Sequence, residues 1–190
     1  EFLETLKFVE LNDINFNTFS YKYVSLLLVI GCEVTSVLKE ICATVDNSIV
    51  NNDNANISTF RKIINDSVNG LDFIKSLSIY TTRIDRATTP WNCFNSGNNP
   101  VWWQAYNSIK HGRSITTIES IYKNASLQNV LAALASLYAA ELCLASLSIN
   151  NNNESLNYSR IFAVDTKENF GSRFRHCIDI NGKSLYFSHE

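Results

Sequence analysis

Apolar side chains recur every three or four positions between Phe19 and Ile41: Phe19, Tyr23, Leu26, Leu27, Ile30, Val34, Val37 and Ile41. That spacing sets them along one face of a helix, predicted over about 18–43. Glu33 lies beside this face, after Ile30 and before Val37, and a charged group there needs a partner. We expect that partner on the helix carrying "YNSIKH": Tyr106, Lys110 or His111. "DNSIVNNDNAN" then loses all periodicity and reads as a loop. Ser58 is positioned to cap a second helix that turns Phe60, Ile63, Ile64 and Val68 inward and stops at Gly70. "LDFIKSLSIYTT" fits helix or strand equally. "RATTPWNCFNSGNNP" reads as a long irregular loop and holds both prolines of the chain.

A third helix is predicted from Val101 to Lys110 or His111, with Pro100 before it and Gly112 after it, the residues favoured at those two ends. The fourth, about Leu127 to Leu147, carries one charge, Glu141, and is apolar nearly all round. Such a helix belongs in the centre of a bundle. After "NNNES" the pattern changes. "CIDINGKSLYF" places Asn-Gly between two β-prone runs, a hairpin signature. The expected fold is mainly α: one domain over 1–190, with a helical core at about 18–149 and a small β-rich extension at about 159–190.

Composition narrows the functions. The formal net charge is −2, so the molecule as a whole does not attract polyanions, and a nucleic-acid site must be a local basic patch. The five cysteines, Cys32, Cys42, Cys93, Cys143 and Cys177, are odd in number and contain no C-x-x-C pair. Neither a disulfide framework nor structural zinc is expected, and four of them are read as small buried apolar groups in a reducing cytoplasm. The histidines have no metal-ligand spacing, and no cofactor motif is recognisable. No secretory signal pattern is visible, and "VSLLLVIG" is well short of the about 20 apolar residues that cross a bilayer. A cytoplasmic protein with no membrane role is expected.

The stretch with chemical content is "VWWQAYNSIKHGR", residues 101–113. At the helical period Trp102, Ala105, Tyr106, Ile109 and Arg113 share one side, and Trp103, Asn107, Lys110 and His111 share the next. Asn107 and His111 are one turn apart and reach a common point. The group has no nucleophile or carboxylate, but it suits a phosphodiester. Histidine exchanges protons near neutral pH, lysine and arginine neutralise phosphate oxygens, and an asparagine orients a hydroxyl. Trp103 is placed to stack a base. A plainer reading also accounts for these residues: positive side chains favoured at a helix C-terminus, and aromatic residues packed in a core.

The long first helix with its inward Glu33, the helix carrying "YNSIKH" and the apolar "LQNVLAALASLYAAEL" together resemble the HEPN superfamily, over roughly Thr18 to Leu147. The "WWxxYNxxKH" pattern is similar to an uncharacterised bacterial subgroup. The resemblance implies a helical bundle acting as a homodimer. Many members are metal-independent ribonucleases of toxin–antitoxin or phage-defence systems, and others are non-catalytic. The family signature is an arginine, four to six residues, then a histidine, often with a polar residue directly after the arginine. His111 and Asn107 match, but positions 104–106 hold Gln104, Ala105 and Tyr106.

Two functions are therefore expected to compete. One is a dimeric ribonuclease in which His111, Asn107 and Lys110 are catalytic, Arg113, Tyr106 and Trp103 bind RNA, and Glu33 supports the site. The other is a non-catalytic module that dimerises or binds a protein partner such as an antitoxin. A nucleotide-like small molecule against Trp103 is a third possibility.

Overall fold

The computed structural model describes residues 1–112, 121–148, 155–157, 159–164, 177–180 and 183–188. A short α1 (Phe2–Thr5) and a single 3-10 turn lead to α2 (Tyr21–Ala43). The side chain of Ser20 starts α2 by accepting the Tyr23 N–H at 3.1 Å, which satisfies a donor that the helix itself leaves open. The predicted face is the buried one, from Tyr23 and Leu26 through Ile41. Phe19 departs from it. This residue lies ahead of the helix, bridged to Ser126, and stays 47% exposed.

The second helix, α3 (Ile57–Asn65), begins earlier than expected. Asn56, not Ser58, is its cap, and the cap is reciprocal: the Asn56 side chain accepts from Ser58 N–H and Thr59 N–H, while the Thr59 hydroxyl accepts from Asn56 N–H. It also ends earlier. Asp66 accepts the Val68 N–H at 3.2 Å and opens a separate 3-10 turn, which Gly70 closes at φ 67°. That turn carries Val68 outward, 90% exposed instead of inward as expected.

The ambiguous segment splits into a 3-10 turn, Asp72–Ser76, and strand β1 (Ile79–Thr81). β1 forms a hairpin with β2 (Arg86–Thr88), taken from the segment read as loop. Asp85 turns the chain at φ 50°, a conformation Asp tolerates better than most side chains. The rest of that segment is not idle loop, because Trp91 and Phe94 are fully buried in the core.

α4 (Val101–His111) and α5 (Leu127–Ser148) complete the helical body. α2 lies along α5, and α4 packs on both. α5 supplies small residues (Ala133, Ala135, Ser136, Ala139, Ala140) together with Leu127, Val130 and Leu142 to the core. Its apolar character matches that central place. α5 is the one helix among the described residues long and apolar enough to cross a membrane, and 56% of that stretch is buried inside the protein. Leu134 is only half-buried.

The C-terminal part is β-structured, as expected. β4 (Phe162–Val164) pairs antiparallel with the free edge of β1, Tyr80 opposite Ala163, so this sheet runs β2-β1-β4. β5 (Cys177–Ile180) and β6 (Lys183–Ser188) pair antiparallel with Ile180 opposite Lys183, the two-residue connection the Asn-Gly pair predicts. β3 (Ser155–Asn157) lies parallel on the other side of β6. The molecule is therefore mainly α with small sheets. One core cluster reaches beyond 18–149, taking in Phe2, Leu11 and Phe16 before it and Ile161 and Phe162 after it.

Candidate functional site at the end of helix α4

α4 is positioned from its buried side. Trp102, Trp103, Ala105, Tyr106 and Ile109 all face the interior. The indole N–H of Trp102 donates to Ser136 Oγ at 2.8 Å, and that of Trp91 donates to the Ser136 carbonyl at 3.0 Å. Ser136 in turn donates to Ala132 O at 2.9 Å. One serine of α5 thus receives two tryptophans, satisfying donors that burial would otherwise leave costly.

Tyr106 fixes α4 against α2. Its ring covers Gly31, where an added Cβ would fall 2.8 Å from Tyr106 Cγ and nearer still to two other ring carbons. Only a residue without a side chain permits this approach. The phenol oxygen lies 3.8 Å from Cys32 Sγ. Burial, and then the neighbouring Cys32, push the Tyr106 hydroxyl up to about 12, so it stays protonated.

The last turn is different. Lys110 and His111 are exposed and Asn107 is half-buried. Asn107 and His111 stand at i and i+4, so the helix aligns them. The Lys110 ammonium sits 5.5 Å from the centre of the Tyr106 ring, a cation–π contact worth about 0.5–1 kcal/mol at such a surface. Gly112 stops the helix, donating to Ser108 O at 2.8 Å. Its role is close approach: a Cβ there would meet Ser108 O and the Ile121 side chain.

The structure brings Asn107, Lys110 and His111 together as an exposed polar edge and removes other expected members. Trp103 is 5% exposed. Its ring is 5.4 Å from that of Trp102 and 4.9 Å from that of Tyr106. It is a core residue and not a stacking platform for a base or nucleotide. Tyr106, 2% exposed, likewise has no surface to offer RNA. Glu33 is exposed on α2 and is not bonded to Tyr106, Lys110 or His111. Its position beside the apolar face is an edge, where the carboxylate is exposed to water and has no ion-pair partner among the described residues. Its charge is instead felt across the helix pair: partial desolvation, then Glu40 and then Glu33, raise the pKa of Glu141 on α5. Arg113 lies outside the described residues.

The cysteines also divide differently from the expectation. Cys42 and Cys143 are buried, and burial pushes each thiol up to about 12. Cys93 is partly buried and raised by the same cause, and Cys32 is exposed. No group of three or more His, Cys, Asp or Glu side chains among the described residues is placed to hold a metal ion.

Sequence reasoning missed Gly31 and Ser136. The pairing of a helical glycine with a tyrosine on another helix leaves no periodic trace. A lone serine in an apolar helix is a signal only once the tryptophans are known to need acceptors. Compared with known proteins, the chain matches no family model, no curated protein and no solved structure.

Proposed function

We propose that the chain is a HEPN-like protein of the cytoplasm whose α4 edge is half of a metal-independent ribonuclease site, completed by the same edge of a second copy. The observation that carries this reading is the exposure of Lys110 and His111 beside Asn107 on a helix whose opposite side, Trp102, Trp103, Ala105, Tyr106 and Ile109, is buried in the core. A rigid helix presenting a histidine and a cation at its end is suited to phosphodiester chemistry. One His111 takes the proton of the ribose 2′-OH as that oxygen bonds to phosphorus. The bond from phosphorus to the 5′-oxygen breaks, and the partner's His111 returns a proton to the leaving oxygen. Lys110, with Arg113, offsets charge on the phosphoryl oxygens. Tyr106, standing where the family has arginine, is buried and neutral and supplies no such donor, so turnover is slow. A growth-restricting toxin or a phage-defence effector is the role that fits a slow, dimeric ribonuclease.

A second reading is favoured by the burial of Trp103 and Tyr106. Here "YNSIKH" is a packing element, and the α4 edge serves only to dimerise or to bind a protein partner such as an antitoxin. Incubation of labelled RNA with the protein in EDTA separates the two. The ribonuclease reading expects weak cleavage that disappears in His111→Ala and falls in Lys110→Ala, with unchanged circular dichroism. No cleavage, or cleavage indifferent to His111, leaves the non-catalytic reading.

A further inference from the structure

At the other end of α4, about 15 Å along the helix from His111 by its rise per residue, lies a cavity of about 880 Å³. That volume is within the range of small-ligand pockets, roughly 300–1,000 Å³. Its floor is open because α5 presents small side chains to it: Ala132 and Ser136 follow Gln128 at intervals of one turn, in a line along the helix. We propose that the cavity binds a neutral sugar, the C–H face of one ring against Phe19 and its hydroxyls on a rim of carboxamides. Three features of the wall carry this assignment.

The first is the chemistry of the rim. Asn17, Asn92, Asn124, Gln128 and Asn129 reach it from separate segments of the chain. A carboxamide offers a donor and an acceptor side by side, and a hydroxyl is both at once, so the two pair whichever way the hydroxyl turns. These side chains are anchored at one atom and open at another. Asn124 donates from Nδ2 to Ser108 Oγ at 3.0 Å, and Asn129 donates from Nδ2 to Asn124 O at 2.8 Å. Among the described residues nothing donates to either Oδ1. Asn92 is the converse: its Oδ1 accepts from Asn95 at 2.8 Å, and among the described residues its amide N–H groups have no acceptor. The floor is already satisfied, since Ser136 Oγ holds the Trp102 indole and donates to Ala132 O. The open hydrogen-bonding groups are those of the rim.

The second is Phe19, a lining residue left 47% exposed ahead of α2. One face of a pyranose is a set of C–H groups, and an aromatic ring is the surface that removes that face from water. The third is the lack of a selecting charge. Among the described residues no carboxylate lines the cavity, and its one cation, Lys123, is an exposed side chain. The start of α5 adds nothing for an anion. The first N–H groups of that helix are already bonded: Leu127 to Thr18 O at 2.8 Å, Gln128 to Phe16 O at 3.1 Å and Asn129 to Ser126 Oγ at 3.3 Å. A ligand with several hydroxyls, an apolar ring face and no need of a counter-charge is a sugar, either free or as a unit of a longer glycan. The assignment is independent of catalysis at His111.

The test is saturation-transfer NMR of the full chain with glucose, galactose, mannose and N-acetylglucosamine, and with maltose, cellobiose and chitobiose. The controls are glycerol, which has hydroxyls and no ring, cyclohexanol, which has a ring and a single hydroxyl, and benzoate, a planar anion. At least one sugar is expected to saturate at millimolar concentration, about tenfold or more tighter than every control. Binding by monosaccharides identifies a free sugar as the ligand, and binding by disaccharides alone identifies a glycan. Phe19→Ala should weaken binding about tenfold, in line with the loss of one ring contact. Asn17→Ala and Gln128→Ala, both at exposed positions that leave the core intact, should each weaken it several-fold. Raising the ionic strength to about 1 M, where the Debye length is about 3 Å, should leave the affinity unchanged. Absence of saturable binding by every sugar overturns the proposal. So does benzoate or cyclohexanol binding as tightly as the best sugar, an affinity that falls with salt, or affinity unchanged in all three variants.

Discussion

Tyr106 and Gly31 show most directly how single residues set α4 in place. Gly31→Ala has two opposed effects. Alanine is the better helix former by about 0.8–1.0 kcal/mol. The new Cβ, however, would enter the Tyr106 ring, and overpacking of this kind costs about 1–3 kcal/mol. The ring is locked between Trp103 and α2, so the clash wins and thermal denaturation should show a destabilised protein. In a Tyr106→Leu background the same substitution should lose most of its cost, and equal costs in both backgrounds would place the strain elsewhere. Ser136 offers a second case. Ser136→Ala removes the acceptor of the Trp102 indole and leaves a buried N–H unsatisfied, which costs about 1–3 kcal/mol. A melting temperature equal to that of the parent protein would show that the indole finds another acceptor. Neither residue was legible beforehand. Tyr106 was placed on the inner side by its period, but its burial against a particular glycine depends on which helix arrives there.

At the scale of elements, long apolar periodicity and the Pro100 and Gly112 limits of α4 match the structure, whereas the expected limits of α3 do not. α2, α4 and α5 stand almost where the apolar spacing puts them, because each buries a long face and a shift of register would expose it. α3 is short, so its limits follow side-chain hydrogen bonds at Asn56 and Asp66, which several nearby polar residues were equally able to make. The strand β1 was ambiguous because its partner β4 is more than 70 residues away in the chain. α5 carries a testable electrostatic consequence. The carboxyl of Glu141 is raised from its usual value of 4.5 by partial desolvation and by Glu40 and Glu33. A raised acid contributes most to stability below that usual value and loses the contribution as pH rises through its folded pKa. At pH 7 its charge is therefore unfavourable, and Glu141→Gln should stabilise the protein, by no more than about 0.3–0.5 kcal/mol for so exposed a group. Denaturant titrations should show that gain shrinking as the pH falls through the carboxylate range. A gain that persists in acid would exclude charge as its source.

At the scale of the whole molecule, the placing of the polar edge decides what a second copy would meet. The resemblance points to a two-fold pairing, and the period places Asn107 and His111 on one face, but the burial of Trp103 and Tyr106 leaves only the last turn of α4, with the exposed Gln104 one turn before it, to form it. In a two-fold contact each residue near the axis faces its own copy. Lys110 would then oppose Lys110, so the bare interface is held apart by like charges. Such repulsion is screened by salt, with a Debye length of about 8 Å at 0.15 M ionic strength. It is removed more fully by an anion lying between the two edges. The proposed site therefore predicts an unusual dependence. Sedimentation velocity at micromolar concentration should show little dimer at low salt and more near 0.15 M. The largest shift should come with a non-cleavable RNA containing 2′-deoxy linkages, since a ligand that binds only the dimer stabilises it by mass action. Lys110→Ala should dimerise more readily without RNA and respond less to it. A dimer that weakens steadily with salt, or one that ignores both RNA and Lys110, would mean the contact lies on another face. A chain that remains monomeric with RNA present leaves each His111 alone, without the second proton carrier that the cleavage step requires.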